Sequence, residues 1–304
     1  MNIAPWNLSR ATLSQADGLP SNPLPPGRTD DKSSAWETAR GNDSTVGSCI
    51  PDFVRRHRYR ALVPDKRHHR GPHPDDACLF APATLPLLQS AVSDLSWLLT
   101  REYASVSALK LVGDRYSLRE RQRIAVGRSA CSDQARERRQ RSQAELGDAA
   151  GRTLFIDGYN VLTTVEAALA AGVILFARDG TYRDMASMHG TWRKVQETLP
   201  AAELIGNLLA ELRIASAVWH LDRPVSNSGR LKTTLEQTAA VHGWPWEIRI
   251  VPDPDRILRD TDQLVATADS GILDECGRWV NLARLTLDRK ISNAKIVDLS
   301  DRVG

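Results

Sequence analysis

A chain of 304 residues is long enough for about two domains, and its 41% hydrophobic share is low enough to leave part of it outside any core. A net charge of +3 is too small to argue for a polyanionic partner, so the distribution of charge carries more information than its sum. Four scattered cysteines (Cys49, Cys78, Cys131, Cys276) with no CxxC pair argue against a disulfide framework or a zinc site. No apolar run has the length of a membrane span or the form of a signal-peptide core, so the expectation is a cytoplasmic protein with no membrane partner.

Residues 1–75 hold nine of the sixteen prolines and no sustained periodicity, which reads as a disordered N-terminal tail. His68, His69 and His73 form either a metal cluster or, on composition, part of a flexible basic tract. Order is expected from about Asp75. Thr84 and Pro86 mark a helix start, and Leu85, Leu88, Val92, Leu95 and Leu99 recur at three- and four-residue spacing to form one apolar stripe. Ser117-Leu118-Arg119-Glu120 has the S-x-x-E form of a capping box. The helix it would open carries Arg119, Arg121, Arg123, Arg128, Arg136, Arg138, Arg139 and Arg141. Such a face either grips phosphates, with Arg121 and Arg123 as substrate-binding residues, or is solvated or docked on an acidic neighbour. Residues 76–147 are therefore read as a small basic all-α domain, with 148–151 as a hinge.

From Thr153 onward strand-like and helix-like runs alternate, which implies a mostly parallel sheet with helices on its faces over residues 151–304. Strands are expected at 153–156, 173–177, 217–221, 246–251 and 264–268, with 295–299 closing the sheet. Helices are expected at 161–171, 201–212, 231–242 and about 271–276. Several of these strands run into an aspartate: Asp157, Asp222, Asp253 and Asp269, with Asp179 in a similar position. In a parallel sheet such ends share one edge, where ligands of open α/β sheets bind. Each aspartate alone is equally a helix cap or turn residue. Convergent carboxylates repel and need a counter-ion, for which Mg2+ or Mn2+ is the natural cofactor, and its chemistry would be activation of a water against a phosphoryl group.

The stretch Phe155-Ile156-Asp157-Gly158-Tyr159-Asn160-Val161-Leu162 resembles the first-strand motif of PIN-like nucleases of the NYN branch. Asp262-Gln263-Leu264-Val265-Ala266-Thr267-Ala268-Asp269 resembles their later element, in which a helix-borne aspartate precedes a strand ending in a second one. His220-Leu221-Asp222, followed by residues 226–229, resembles their middle strand and loop. The region from Asp75 on, about three quarters of the chain, is similar to the domain of unknown function 434, a likeness carried by residues 109–116 and Arg121-Gln122-Arg123. The nuclease resemblance implies an α/β, PIN-like fold. It implies metal ligands at Asp157, Asp262 and Asp269, and catalytic or hydrogen-bonding roles for Asp157, Asn160 and Asp222. The activity implied is metal-dependent hydrolysis of a nucleic acid, RNA before DNA; the alternative is a nucleic-acid-binding protein with a degenerate site.

Residues 178–189 depart from the NYN pattern. Arg178, Asp179, Arg183, Asp184 and His189 either present arginines to a substrate phosphate, or form an Asp-Gly hairpin whose charges pair among themselves. Trp244-Pro245-Trp246 reads as a buried strand entrance or as a base-stacking platform, the former being favoured. Dinucleotide, P-loop and serine-hydrolase motifs are absent from the sequence. An aspartyl-nucleophile phosphatase is disfavoured because Tyr159 stands where its second aspartate belongs.

Overall fold

The computed structural model describes residues 69–186 and 192–300, so most of the expected tail, His68 and His189 lie outside the described residues. The chain is already docked at His69, earlier than the sequence suggests. Arg70 pairs with the fully buried Glu166, and His69 Nδ1 lies 2.7 Å from Glu197 Oε1. His73 Nδ1 instead accepts the Asp75 N–H, so His69 and His73 are committed to different partners.

Five helices follow: α1 (Asp76–Leu79), α2 (Leu85–Thr100), α3 (Ser105–Arg115), α4 (Glu120–Ser129) and α5 (Asp133–Ser142). The expected stripe of α2 does face inward, with Leu88, Val92 and Leu95 buried, each worth about 1.5–3 kcal/mol on burial. The expected capping box is displaced by two residues. Ser117 sits in a left-handed turn at φ 50°, and it is the Gln122 side chain that accepts the Arg119 N–H. The single basic helix is in fact two. The chain is extended at Ala130, and Ser132 recaps it by accepting the Ala135 N–H.

The rest of the chain alternates as β1 (Thr153–Asp157), α6 (Gly158–Leu169), β2 (Val173–Phe176), β3 (Tyr182–Asp184), α7 (Thr198–Glu211), β4 (Ser216–Asp222) and α8 (Ser228–His242). It continues with β5 (Trp246–Val251), α9 (Pro254–Arg259), β6 (Leu264–Ala266), α10 (Ser270–Leu273), β7 (Arg278–Val280), α11 (Leu282–Lys290) and β8 (Lys295–Asp298). The strands make two sheets instead of the one expected. The larger is five-stranded and all parallel, in the order β5-β4-β1-β6-β7. The smaller is β3-β2-β8, in which β8 pairs with β2 and does not close the larger sheet.

Alternation along β1 explains the layers. Leu154 and Ile156 point into a core shared with Val161, Leu162, Ile205, Leu208 and Leu231 of α6, α7 and α8. Phe155 faces the opposite side, against Val265, Leu258, Ile272 and Trp279. The small sheet is joined to the helical region by a second core, in which Val173, Leu175 and Val297 meet Leu88, Val92, Leu95 and Val126. Among the described residues no helix is long and apolar enough to cross a membrane.

Candidate active site

Parallel pairing brings the strand ends of the larger sheet to one edge. Across it from β5 to β7 stand Asp253, Asp222, Asp157, Asp269 and Asn281. Where β1 ends, α6 must turn over β4 at once. A Cβ at Gly158 would lie 2.9 Å from the His220 carbonyl oxygen, so this close crossing requires glycine. The crossing fixes Asp157 at the position before the first helical residue of α6, and Asn160 in its first turn.

The exit of β6 is stitched to this turn. The Thr267 hydroxyl donates to Asp157 Oδ2 at 2.7 Å and accepts the Asp269 N–H at 3.0 Å. The Ala268 N–H donates to Asn160 Oδ1 at 2.9 Å. Because its oxygen is engaged in this way, Asn160 turns its amide NH2, a pure donor, away from Ala268. Asp269 caps α10 through its Oδ1, which accepts the Gly271 and Ile272 N–H groups.

Asp157, Asn160 and Asp269 line a cleft of about 440 Å3 together with Asp255 of α9, Arg183 and Asp184 of β3, and Gly127 and Arg128 of α4. Among the described residues none of Asp157, Asp255 and Asp269 forms an ion pair. Burial drives the Asp157 carboxyl up to about 7, the repulsion of Asp269 and Asp255 adding to it and the Thr267 hydroxyl opposing it. Asp255 is raised in turn by desolvation, then by Asp269, Asp222 and Asp253.

The expected site residues divide. Asp157, Asn160, Asp269 and Arg183 meet in the cleft, whereas Asp262 does not. Asp262 precedes β6, at the amino edge of a sheet whose carboxyl edge carries the cleft, about 20 Å of extended chain from Asp269. A helix does bring an aspartate to the cleft, and it is Asp255 of α9. Its signal in the sequence is Asp253-Pro254-Asp255, a capping aspartate followed by proline in the first turn, which starts a helix at the carboxyl end of β5. Asp222 ends the neighbouring strand without lining the cleft, its carboxyl raised by burial and by Asp253.

The arginines are mostly committed. Arg121 pairs with the fully buried Asp76, Arg123 with Asp114 at 2.8 Å, and Arg178 with Asp133 at 2.7 Å. None of the three lines the cleft. Residues 178–184 adopt the hairpin reading. Gly180 takes φ 82° in the turn, and the buried Asp179 accepts from Arg183 at 2.6 Å and Arg139 at 2.5 Å. Arg183 also donates to the carbonyls of Ala268 and Arg128, so it braces the cleft wall with little left for a substrate. The α5 arginines dock on acidic neighbours, with Arg138 and Arg139 both on Asp274. Trp244 and Trp246 stack at 5.0 Å where β5 begins, and Trp246 lies 5.0 Å from the buried Trp219, so the pair packs the amino edge.

Among the described residues no group of three His, Cys, Asp or Glu side chains is gathered closely enough to hold a metal ion as it stands. Of the four carboxylates on the cleft, Asp184 lies 3.8 Å from Arg128, while Asp157, Asp255 and Asp269 pair with no cation among the described residues, and these oxygen donors suit Mg2+ or Mn2+.

Comparison with known proteins finds two matching segments. Residues 87–141 match the model of a protein of unknown function, DUF434, and residues 146–285 that of a domain of unknown function, DUF5616. The DUF434 likeness thus stops at the helices, short of the three quarters expected. The cleft draws Gly127 and Arg128 from the first segment and its carboxylates from the second. No solved structure matches the chain. The uncharacterized protein MJ0935 of Methanocaldococcus jannaschii is 30% identical over 186 residues, which cover 61% of this chain and 88% of that protein. The chain belongs to the same family as MJ0935.

Proposed function

We propose that the cleft hydrolyses phosphodiester bonds, with RNA as substrate and Mg2+ or Mn2+ as cofactor. The observation that carries this reading is the meeting of Asp157, Asp255 and Asp269 on one cleft with no ion pair to any of them among the described residues. Three unneutralised carboxylates cost stability unless a hard cation joins them. The likeness of residues 155–162 to the first-strand motif of NYN-type, PIN-like nucleases supports the same reading, and a PIN-like identity of the α/β region belongs to the proposal.

Asp157, Asp255 and Asp269 are the residues that would hold the ion. When bound, it would supply Lewis acidity at a phosphoryl oxygen and lower the pKa of a water. Thr267 fixes the rotamer of Asp157 through its 2.7 Å hydrogen bond. Asn160, its oxygen held by Ala268, offers its NH2 as a donor to a substrate oxygen. Arg128 lies 3.8 Å from Asp184 on the cleft wall and donates to the Ala186 carbonyl, and Arg183 keeps that wall in place. Asp157 must lose its proton for a cation to bind. Since burial pushes its carboxyl up to about 7, cation affinity should rise from pH 6 to pH 8.

A non-catalytic nucleic-acid-binding protein is the competing reading, favoured by the absence of a tight three-ligand cluster among the described residues. Incubation of the protein with single-stranded RNA and Mn2+ separates the two. Products that vanish with chelator and in the Asp157→Asn variant are expected. Equal cleavage by Asp157→Asn contradicts the assignment, and binding without any product favours the competitor.

A further inference from the structure

We infer that a rim of four cations beside the cleft, Arg193, Lys194, Arg223 and Arg230, is the track for the sugar–phosphate backbone of a single-stranded nucleic acid. This deepens the proposed hydrolytic reading and rests on it for the purpose of the track, though not for its existence.

The four side chains come from two segments that the fold clamps together. The Trp192 N–H donates to the Ser226 carbonyl at 3.1 Å, and Asn227 Nδ2 donates to the Trp192 carbonyl at 3.0 Å. Trp192 itself is fully buried and anchors the joint. Arg193 and Lys194 follow it directly, Arg223 leaves the carboxyl end of β4, and Arg230 lies in the first turn of α8. All four are exposed, and among the described residues none forms an ion pair. That sets them apart from Arg121, Arg123, Arg138, Arg139 and Arg178, whose charges are taken up by Asp76, Asp114, Asp274, Asp179 and Asp133.

Stability does not account for the arrangement. Arg230 stands at the positive end of the α8 dipole in a first turn that contains no acid, a position that disfavours a cation. Arg193 and Lys194 are neighbours in sequence and add like-charge repulsion, and a polyanion relieves both penalties.

The rim also adjoins the cleft. Tyr159, a cleft-lining residue, donates its hydroxyl to Ser228 Oγ at 2.9 Å, so the start of α8 abuts the cleft wall. A cleft of about 440 Å3 is at the small end of ligand sites, which suits a single strand better than a duplex. An acidic centre flanked by a basic track therefore suits a strand whose phosphates are held on the rim while one linkage enters the cleft.

The test uses the full chain carrying Asp157→Asn, so that binding is read without cleavage. Fluorescence anisotropy with a labelled single-stranded 20-mer RNA is measured across a salt series, with the same DNA sequence and a duplex RNA as further arms. Replacing Arg193, Lys194, Arg223 and Arg230 by Gln should make the log–log salt slope shallower by roughly 3, at about 0.7 per phosphate contact. The Arg193→Gln/Lys194→Gln pair should give about half that change and guards against a folding defect in the fourfold variant. Removing Arg152, Arg213 and Arg289, exposed elsewhere on the molecule, should leave the slope unchanged. No binding by the intact rim, tighter binding of duplex than of single strand, or the same slope loss per charge in rim and control variants overturns the proposal. Loss of binding in the rim variants of a protein that never cleaves RNA upholds the track and removes the hydrolytic reading. Cleavage that depends on Asp157 with rim variants of unaltered affinity does the reverse.

Discussion

Two aspartates on the two sheets show opposite electrostatics. Asp179, in the hairpin of the small sheet, has no exposed side-chain surface and meets two arginines, so its carboxyl is held well below the usual range despite burial. Asp157, at the carboxyl edge of the larger sheet, meets a threonine hydroxyl and two further carboxylates, and burial pushes it up to about 7. The residue type is the same, and Asp179 is the more enclosed of the two; what decides the direction is the company. A carboxylate with its own arginines is part of the framework, whereas one left without a cation among other carboxylates suits a ligand that brings positive charge.

The largest effect expected from this contrast is on folding. Asp179→Ala strands Arg139 and Arg183 in the interior, and should cost about 3–5 kcal/mol in urea denaturation. A loss below about 1 kcal/mol, the size of a surface ion pair, would show that the two arginines find other partners.

Asp157→Asn should act in the opposite direction. A carboxyl whose folded pKa is raised favours the folded state while protonated. Its contribution is complete below about pH 4 and is lost as pH rises through 7. The native protein should therefore lose stability from pH 4 to pH 7 through this group, and Asp157→Asn should remove that decline, gaining about 1–3 kcal/mol at pH 8. Melting curves across the series decide it: an Asp157→Asn variant less stable than the native chain at pH 8 would place Asp157 in the framework with Asp179.

The smallest effect is expected at Asp262. Since it lies at the amino edge, Asp262→Asn should stay within about 0.5 kcal/mol in stability and leave any RNA cleavage unaltered. A loss of cleavage as large as that from Asp255→Asn would restore Asp262 to the site.

How much of this could be read beforehand follows from how local each signal is. Asp157, Asn160 and Asp269 were legible because a short apolar run ending in Asp marks the carboxyl edge wherever the strands are parallel, and all five strands of the larger sheet are. Asp262 was misplaced because proximity to a strand in sequence does not say which end of it a residue occupies. Asp255 was missed although Asp253-Pro254-Asp255 announces a helix at the correct edge. The second sheet escaped because the partners of β2 are β3 and the distant β8, and no local pattern of a strand names its partner. The fates of Arg121, Arg123 and Arg178 were equally closed to sequence, since pairing with Asp76, Asp114 and Asp133 depends on how the helices pack.

Calorimetric titration with Mn2+ at pH 8 tests most directly whether the three unpaired carboxylates are a cation site. Binding by the native protein, its loss in both Asp157→Asn and Asp255→Asn, and its retention in Asp262→Asn are the predicted results. Unchanged binding in Asp157→Asn, or no binding heat in the native protein, would contradict the account.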